Sequence, residues 1–190
     1  MKKQLNEMTL EELWQLFPIV LEPHRDCWTQ WYAAEEKQLW QLLPETEVLR
    51  ISHIGSTAVS AIWAKPIVDI LVETADRTAL QSAAQKLERG GYLRMSEEQK
   101  RISLNKGYTP EGFAERVFHV HVRLVGDHDE LYFRDYLEAY PDVAKEYETL
   151  KQKLWNLFEH DRDAYTQDKT EFVRRYTGIA KEQYHGRYTI

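Results

Sequence analysis

Two neighbouring segments, His53-Ile54-Gly55-Ser56-Thr57-Ala58-Val59 and Lys65-Pro66-Ile67-Val68-Asp69-Ile70-Leu71-Val72, constrain the fold more than any other part of the chain. The β-branched run from Val48 to Ile54 predicts a strand, and Gly55-Ser56 predicts the turn that ends it in a short helical turn. A second strand over Ile67 to Glu73 then carries one carboxylate, Asp69, among apolar residues. A charge in that setting needs a cation or an open site beside it. Backbone N–H groups and the Ser56 and Thr57 hydroxyls at a helix start favour a phosphate, so the pair of segments points to nucleotide chemistry. Two readings stand for Lys65: it neutralises Asp69, or it reaches the phosphate.

The flanking sequence predicts the rest of an α/β (α+β) arrangement. Thr9-Leu10-Glu11-Glu12 is a capping-box pattern with Leu10, Leu13, Trp14 and Phe17 at helical spacing, and Pro18 stops that run. Trp28, Trp31, Tyr32, Glu35, Leu39 and Leu42 trace one face of a longer helix ending near Pro44. Asp76 to Arg89 predicts a helix with Leu80, Ala83, Ala84 and Leu87 facing inward, ended by Gly90-Gly91. Arg101 to Asn105 and Arg116 to Leu124 alternate with period two across a loop holding Gly107, Pro110 and Gly112, giving four candidate strands. Leu131 to Tyr140 predicts a short helix before Pro141. Two further amphipathic helices follow, one through Val143, Tyr147, Leu150, Leu154 and Leu157, the other through Tyr165, Phe172, Val173, Tyr176 and Ala180. The expectation is one domain over 1–190, with N-terminal helices at 9–43, a sheet core at 48–124 and C-terminal helices at 129–184.

Composition narrows the partners. Lys and Arg total 25 against 31 Asp and Glu, a net charge of -6 that argues against an extended nucleic-acid surface while leaving room for a local basic pocket. No run of about 18 apolar residues suggests a membrane span. Met1-Lys2-Lys3 leads into acidic residues, unlike a secretory signal, and the lone Cys27 forms no intramolecular disulfide, so a cytoplasmic location is expected. Cys27 beside Trp28 and Trp31 reads as a packing thiol. The six Trp and eleven Tyr serve a core by default, with a homodimer contact or base stacking as the other uses.

In Phe118-His119-Val120-His121-Val122-Arg123-Leu124, alternation sets the apolar residues on one face and His119, His121 and Arg123 on the other. If this strand shares a sheet with the Asp69 strand, the carboxylate and two imidazoles converge on one open face. Such a set could bind a divalent metal, and it suits zinc, manganese or iron better than magnesium. A solvated strand face carrying polar residues is the bland alternative.

These residues together resemble the GrpB-like (UPF0157) family of small bacterial proteins, in the nucleotidyltransferase superfamily with a polymerase-beta-like fold. The resemblance rests on the two segments above, on Phe118-His119-Val120-His121-Val122, on Phe133-Arg134-Asp135-Tyr136-Leu137, and on Tyr147, Leu150-Lys151 and Tyr165-Thr166-Gln167-Asp168-Lys169. It implies a Gly-Ser turn that holds a triphosphate and carboxylates that hold divalent metals (Mg, Mn or Zn). The superfamily expects two acids separated by one residue, whereas Asp69 has Ile67 on one side and Leu71 on the other.

The expected function is therefore a nucleotidyltransferase-like protein that binds a nucleotide or phosphorylated small molecule, with metal-dependent transfer. Gly55, Ser56, Thr57 and Lys65 would hold phosphate, Arg123 and Arg134 would neutralise substrate charge, and Asp69 would act in catalysis and, with His119 and His121, as a metal ligand. The alternatives are a catalytically silent binding module of the same fold and a metal-dependent hydrolase built on the His-x-His strand.

Overall fold

A computed structural model describes residues 3–190; Met1 and Lys2, part of the segment read as lacking a secretory signal, lie outside the described residues. Local rules set the first elements. Helix α1 (Leu10–Leu16) starts at a reciprocal cap in which the Glu12 N–H donates to Thr9 Oγ1 and the Thr9 N–H to the Glu12 carboxylate at 2.8 Å. Helix α2 (Cys27–Leu42) buries Trp28, Trp31, Glu35 and Leu39 on one face, as the aromatic spacing predicts.

Strands β1 (Val48–Ile54), β2 (Val68–Thr74), β3 (Leu93–Glu97), β4 (Arg101–Thr109) and β5 (Gly112–Leu124) form one sheet in the order β1-β2-β5-β4-β3. Only β2 and β5 run parallel, with Asp69 beside His119 and Leu71 beside His121. Helix α3 (Arg77–Arg89), capped by Asp76 on the Ala79 N–H at 2.9 Å, begins the crossover from β2. It packs with α2 on one face of the sheet. Val68, Ile70 and Val72 of β2, Val120 and Val122 of β5, and Leu104 of β4 are fully buried there against Trp28, Leu39, Leu80 and Leu87. Each such side chain contributes about 1.5–3 kcal/mol by leaving water. The buried Glu35 within this layer accepts from the Tyr92 hydroxyl and from Lys106 Nζ at 2.7 Å, which satisfies a charge that α2 carries inward.

The other face of the sheet is covered by α4 (Asp129–Ala139), α5 (Pro141–Phe158), α6 (Arg162–Asp168) and α7 (Thr170–Gln183). Ile54 and Leu71 pack there on Leu131. Glu73, on the same face as Asp69, is fully buried and meets His128 Nδ1 at 2.7 Å and Arg50 Nε at 2.9 Å. The face expected to be open therefore holds a helical cover, and Asp69, His119 and His121 keep only 28%, 20% and 24% of their side chains exposed.

Three local expectations are corrected. The sheet has a fifth strand, β3, an edge strand whose residues are almost all exposed, so it lacks the alternation that marks a half-buried strand. The region around Gly107, Pro110 and Gly112 is mostly paired: β4 and β5 continue to Thr109 and Gly112, and a register shift at Gly107, whose φ is 93°, absorbs one residue. The last predicted helix is two, α6 and α7, because at Lys169 the N–H bonds back to the Gln167 carbonyl.

Gly55 is a tight point of the fold, at the site itself. Its φ of 71° and ψ of -172° lie where essentially only glycine goes, and a Cβ there would stand 2.5 Å from Asp69 Oδ2 and 3.0 Å from Asp69 Cβ. Gly91 has a positive φ as well but open space around it. Gly55→Ala is expected to lower the unfolding free energy by roughly 2–4 kcal/mol, and Gly91→Ala by about 1–2 kcal/mol, in urea titrations. Equal losses at the two positions would show that the Asp69 contact carries no cost.

Candidate functional site

The antiparallel pairing of β1 with β2 sets Ile54 opposite Asp69, so the chain leaves β1 directly over the carboxylate. Gly55 then turns it into a 3₁₀ turn, Ser56–Ala58. This turn is tied down from both sides. Thr57, itself buried, donates from Oγ1 to the Ile67 carbonyl at 3.2 Å and stands 3.0 Å from His53 Nε2. The His53 ring stacks on Tyr32, and burial lowers its pKa to about 4, so it braces the turn as a neutral imidazole.

From the helical side, α5 grips the loop that follows. Lys151 Nζ donates to Ser56 Oγ at 3.1 Å and to the Trp63 carbonyl, while Glu148 accepts from the Trp63 N–H at 2.8 Å. Lys151 is only 2% exposed. Together these elements enclose a cavity of about 280 Å³ whose wall includes Ser56, Thr57, Lys65, Asp69 and His119, with Lys151, Arg162 and Lys169 from the C-terminal helices. Four cations thus face one carboxylate. Among the described residues none of the four lies within ion-pair distance of any carboxylate.

Burial lowers the pKa of Lys151 to about 7 and of Lys169 to about 8, and Lys65 is also held well below its ordinary value, by burial and then by the neighbouring Lys169 and Arg162. Lys65 and Lys169 both lie over the Tyr165 ring, at 4.3 and 4.4 Å from its centroid. Among the described residues the buried Tyr165 hydroxyl has no hydrogen-bond partner. Such a wall is costly when empty and is relieved by an anion.

At the floor, Asp69 Oδ1 lies 3.3 Å from His119 Nδ1 and 3.3 Å from His121 Nε2. Two donors held at ~2.0–2.1 Å by a tetrahedral zinc would stand roughly 3.3–3.4 Å apart, the spacing of Asp69 Oδ1 from each histidine, and the three ligand atoms all lie within 4.8 Å of one another, so the set suits one such ion. They do not fit a two-metal centre, because fully buried Leu71 occupies the position of a second acid. Burial raises the Asp69 carboxyl, but hydrogen bonding to the two histidines outweighs it and keeps the group below the usual carboxylate range. Burial lowers the His119 pKa, leaving a neutral ring.

The His119 tautomer follows from its partners. Arg162 Nη2 donates to the Tyr108 oxygen at 3.2 Å, which leaves the phenolic proton free for His119 Nε2 at 2.8 Å. Nδ1 then carries the ring proton and faces Asp69 Oδ1 at 3.3 Å.

The structure brings together Gly55, Ser56, Thr57, Lys65, Asp69, His119 and His121, but not the two arginines. Arg123 is paired with Glu130 at 2.6 Å and Asp127 at 3.6 Å, and Arg134 with Asp135 at 2.7 Å and the His53 carbonyl at 2.8 Å. Lys151, Arg162 and Lys169 supply the cavity charge instead; Lys151 and Lys169 lie in segments that carry the family resemblance, and Lys151 also shares the inward stripe of Tyr147 and Leu154 on α5. Nitrogen-detected NMR of the metal-free protein should show His119 protonated at Nδ1, and zinc should convert it to the Nε2–H form. An Nδ1–H signal that persists at saturating zinc would count against His119 as a ligand.

The GrpB protein family profile matches residues 18–178. The UPF0157 protein YqkA of Bacillus subtilis is 32% identical over 167 residues, 86% of this chain and 48% of that protein. The UPF0157 protein PA4798 of Pseudomonas aeruginosa is 38% identical over 161 residues, 83% of this chain and 66% of its own length. The chain thus spans about half to two thirds of these relatives. Among solved structures, the conserved protein GrpB from Enterococcus faecalis superposes with a TM-score of 0.75 at 30% identity, over 87% of this chain and 99% of that one. The Cid1 poly(U) polymerase bound to MgATP superposes with a TM-score of 0.51 at 12% identity, over 70% of this chain and 43% of that one, a likeness of fold alone. The chain belongs to the GrpB family and has the polymerase-beta-like nucleotidyltransferase fold.

Proposed function

We propose that this protein binds a nucleotide or another phosphorylated small molecule, with its phosphates in the cavity between the Ser56–Ala58 turn and α5 to α7. The observation that carries this reading is the set of four cations, Lys65, Lys151, Arg162 and Lys169, gathered without ion-pair partners around Ser56. A phosphate chain offers oxygens to several such donors at once, and charge-assisted hydrogen bonds to it are the strong ones. Lys151 already donates to Ser56 Oγ, which holds that hydroxyl at the mouth of the turn, while the half-buried wall keeps bulk water from screening the charges. Asp69, His119 and His121 would hold one divalent cation, which when bound supplies neutralisation of phosphate charge.

Binding is better supported than two-metal nucleotidyl transfer. The transfer reading needs a second acid near Asp69, and Asp69 is the sole carboxylate among the described residues that line the cavity. A nucleotidyltransferase-like binding protein is consequently preferred to an active transferase, and the hydrolase reading finds no carboxylate base besides Asp69 among the described residues of the cavity wall.

Three measurements check this. In thermal-shift titrations of the full chain, nucleoside triphosphates should raise the melting temperature, with a further rise on adding manganese or zinc. A blank screen would count against nucleotides. Asp69→Asn should abolish divalent-metal binding in calorimetry with an unchanged circular dichroism spectrum, and unchanged metal affinity would remove the metal assignment. Lys169→Met should weaken tripolyphosphate binding about tenfold to a hundredfold.

The lysine pKa values set the pH dependence. Below about pH 7 Lys151 and Lys169 carry their protons; above about pH 8 they lose them unless an anion is bound. Tripolyphosphate affinity should decline from pH 7 to 9, with proton uptake on binding. The free protein should gain stability over the same window, because unfolded lysines still hold protons that the folded ones shed. A pH-independent affinity from 6 to 9 would contradict both.

A further inference from the structure

Beside the cationic cavity lies a second one of about 240 Å³, and the two share Lys65, Ile67 and Arg162 as a common wall. Its lining is of another kind. Pro18, Trp31, Pro66 and Phe113 supply apolar and aromatic surface, and Glu22 and Glu115 stand at its rim. Trp31 is held rigid, 8% exposed, with the Arg25 and Arg116 guanidinium groups at 5.7 and 5.8 Å from its ring centroid. Phe113 is 36% exposed and packs on Phe17 and Tyr108, with ring centroids 4.9 and 5.2 Å away.

The first cavity is small for a whole nucleotide. Its volume falls just under the ~300–1,000 Å³ usual for small-molecule sites; of its rings, Tyr165 is already covered by Lys65 and Lys169, and His119 is engaged with Tyr108 and Asp69. The two cavities together come within that range, and their chemistry divides as a nucleotide divides, cations on one side and aromatic surface on the other. Glu115, which makes no ion pair among the described residues, offers a carboxylate acceptor for the N–H groups of a base.

We propose that the second cavity is the subsite for the base of the nucleotide whose phosphates occupy the first, with Phe113 as the stacking surface and Lys65 and Arg162 at the junction between phosphate and nucleoside. The assignment rests on the phosphate-binding reading above and names the class of ligand: a base-bearing phosphate ester rather than a bare polyphosphate or a sugar phosphate.

The test compares inorganic tripolyphosphate with ATP by calorimetry on the full chain, with no metal added. Wild-type protein should bind ATP about five- to a hundredfold more tightly than tripolyphosphate, the gain a single stacked base supplies. Phe113→Ala should erase that gain while leaving tripolyphosphate binding intact, and Phe113→Tyr, which keeps a ring face, should restore it. Equal affinities for ATP and tripolyphosphate in the wild type, or a Phe113→Ala variant that weakens both alike, would overturn the base subsite and leave phosphate binding standing. Failure of both probes to bind would overturn the two readings together.

Discussion

The contact between Gly55 and Asp69 is the constraint from which the rest of the site follows. Antiparallel pairing of β1 and β2 brings the end of one strand over the carboxylate of the other, and only a residue without a side chain passes there. With Oδ2 tucked beneath Gly55, Oδ1 is left to face His119 and His121 on β5, whose parallel register with β2 places them alongside. The same turn sends Ser56 towards α5, where Lys151 and Glu148 hold the loop. One backbone position thereby couples strand pairing, the orientation of the acid and the entry of the phosphate-facing turn.

The electrostatics of the site run against those of the chain. A protein with a net charge of -6 gathers Lys65, Lys151, Arg162 and Lys169 in one partly closed cavity, whereas Arg123 and Arg50, also largely buried, are paired with Glu130 and Glu73. The contrast separates structural from functional charge. A cation that is buried and paired holds elements together; a cation that is buried and unpaired shifts its own pKa instead, as Lys151 and Lys169 do.

Much of the scaffold was legible because short-range rules govern it. The capping box of α1, the inward stripe of α3 and the alternation of β5 each follow from residues a few positions apart, and the structure contains them. The likeness of Asp69, His119 and His121 was legible for the same reason: period two fixes which residues share a face once two strands pair. The edge strand β3 escaped, since exposed residues carry no periodic signal, and so did the break between α6 and α7, where an unbroken stripe hides a change in backbone bonding at Lys169.

Arg123 and Arg134 mark the boundary between the two kinds of information. Both lie next to motifs that point at the site, yet their carboxylate partners Asp127, Glu130 and Asp135 lie within seven residues of them in the chain, and Arg134 reaches the His53 carbonyl only because α4 docks beside β1. Arg162 and Lys169 lie about a hundred residues from Ser56 in the chain and reach its cavity only because the C-terminal helices fold back over the sheet. By itself the sequence determined the strand, the Gly55 turn and the acid, since these depend on backbone conformation and on neighbours within two residues. Only the tertiary structure decided which cations face the turn and where an aromatic subsite adjoins it, because packing between distant elements, and no local rule, chooses which side chains share a cavity.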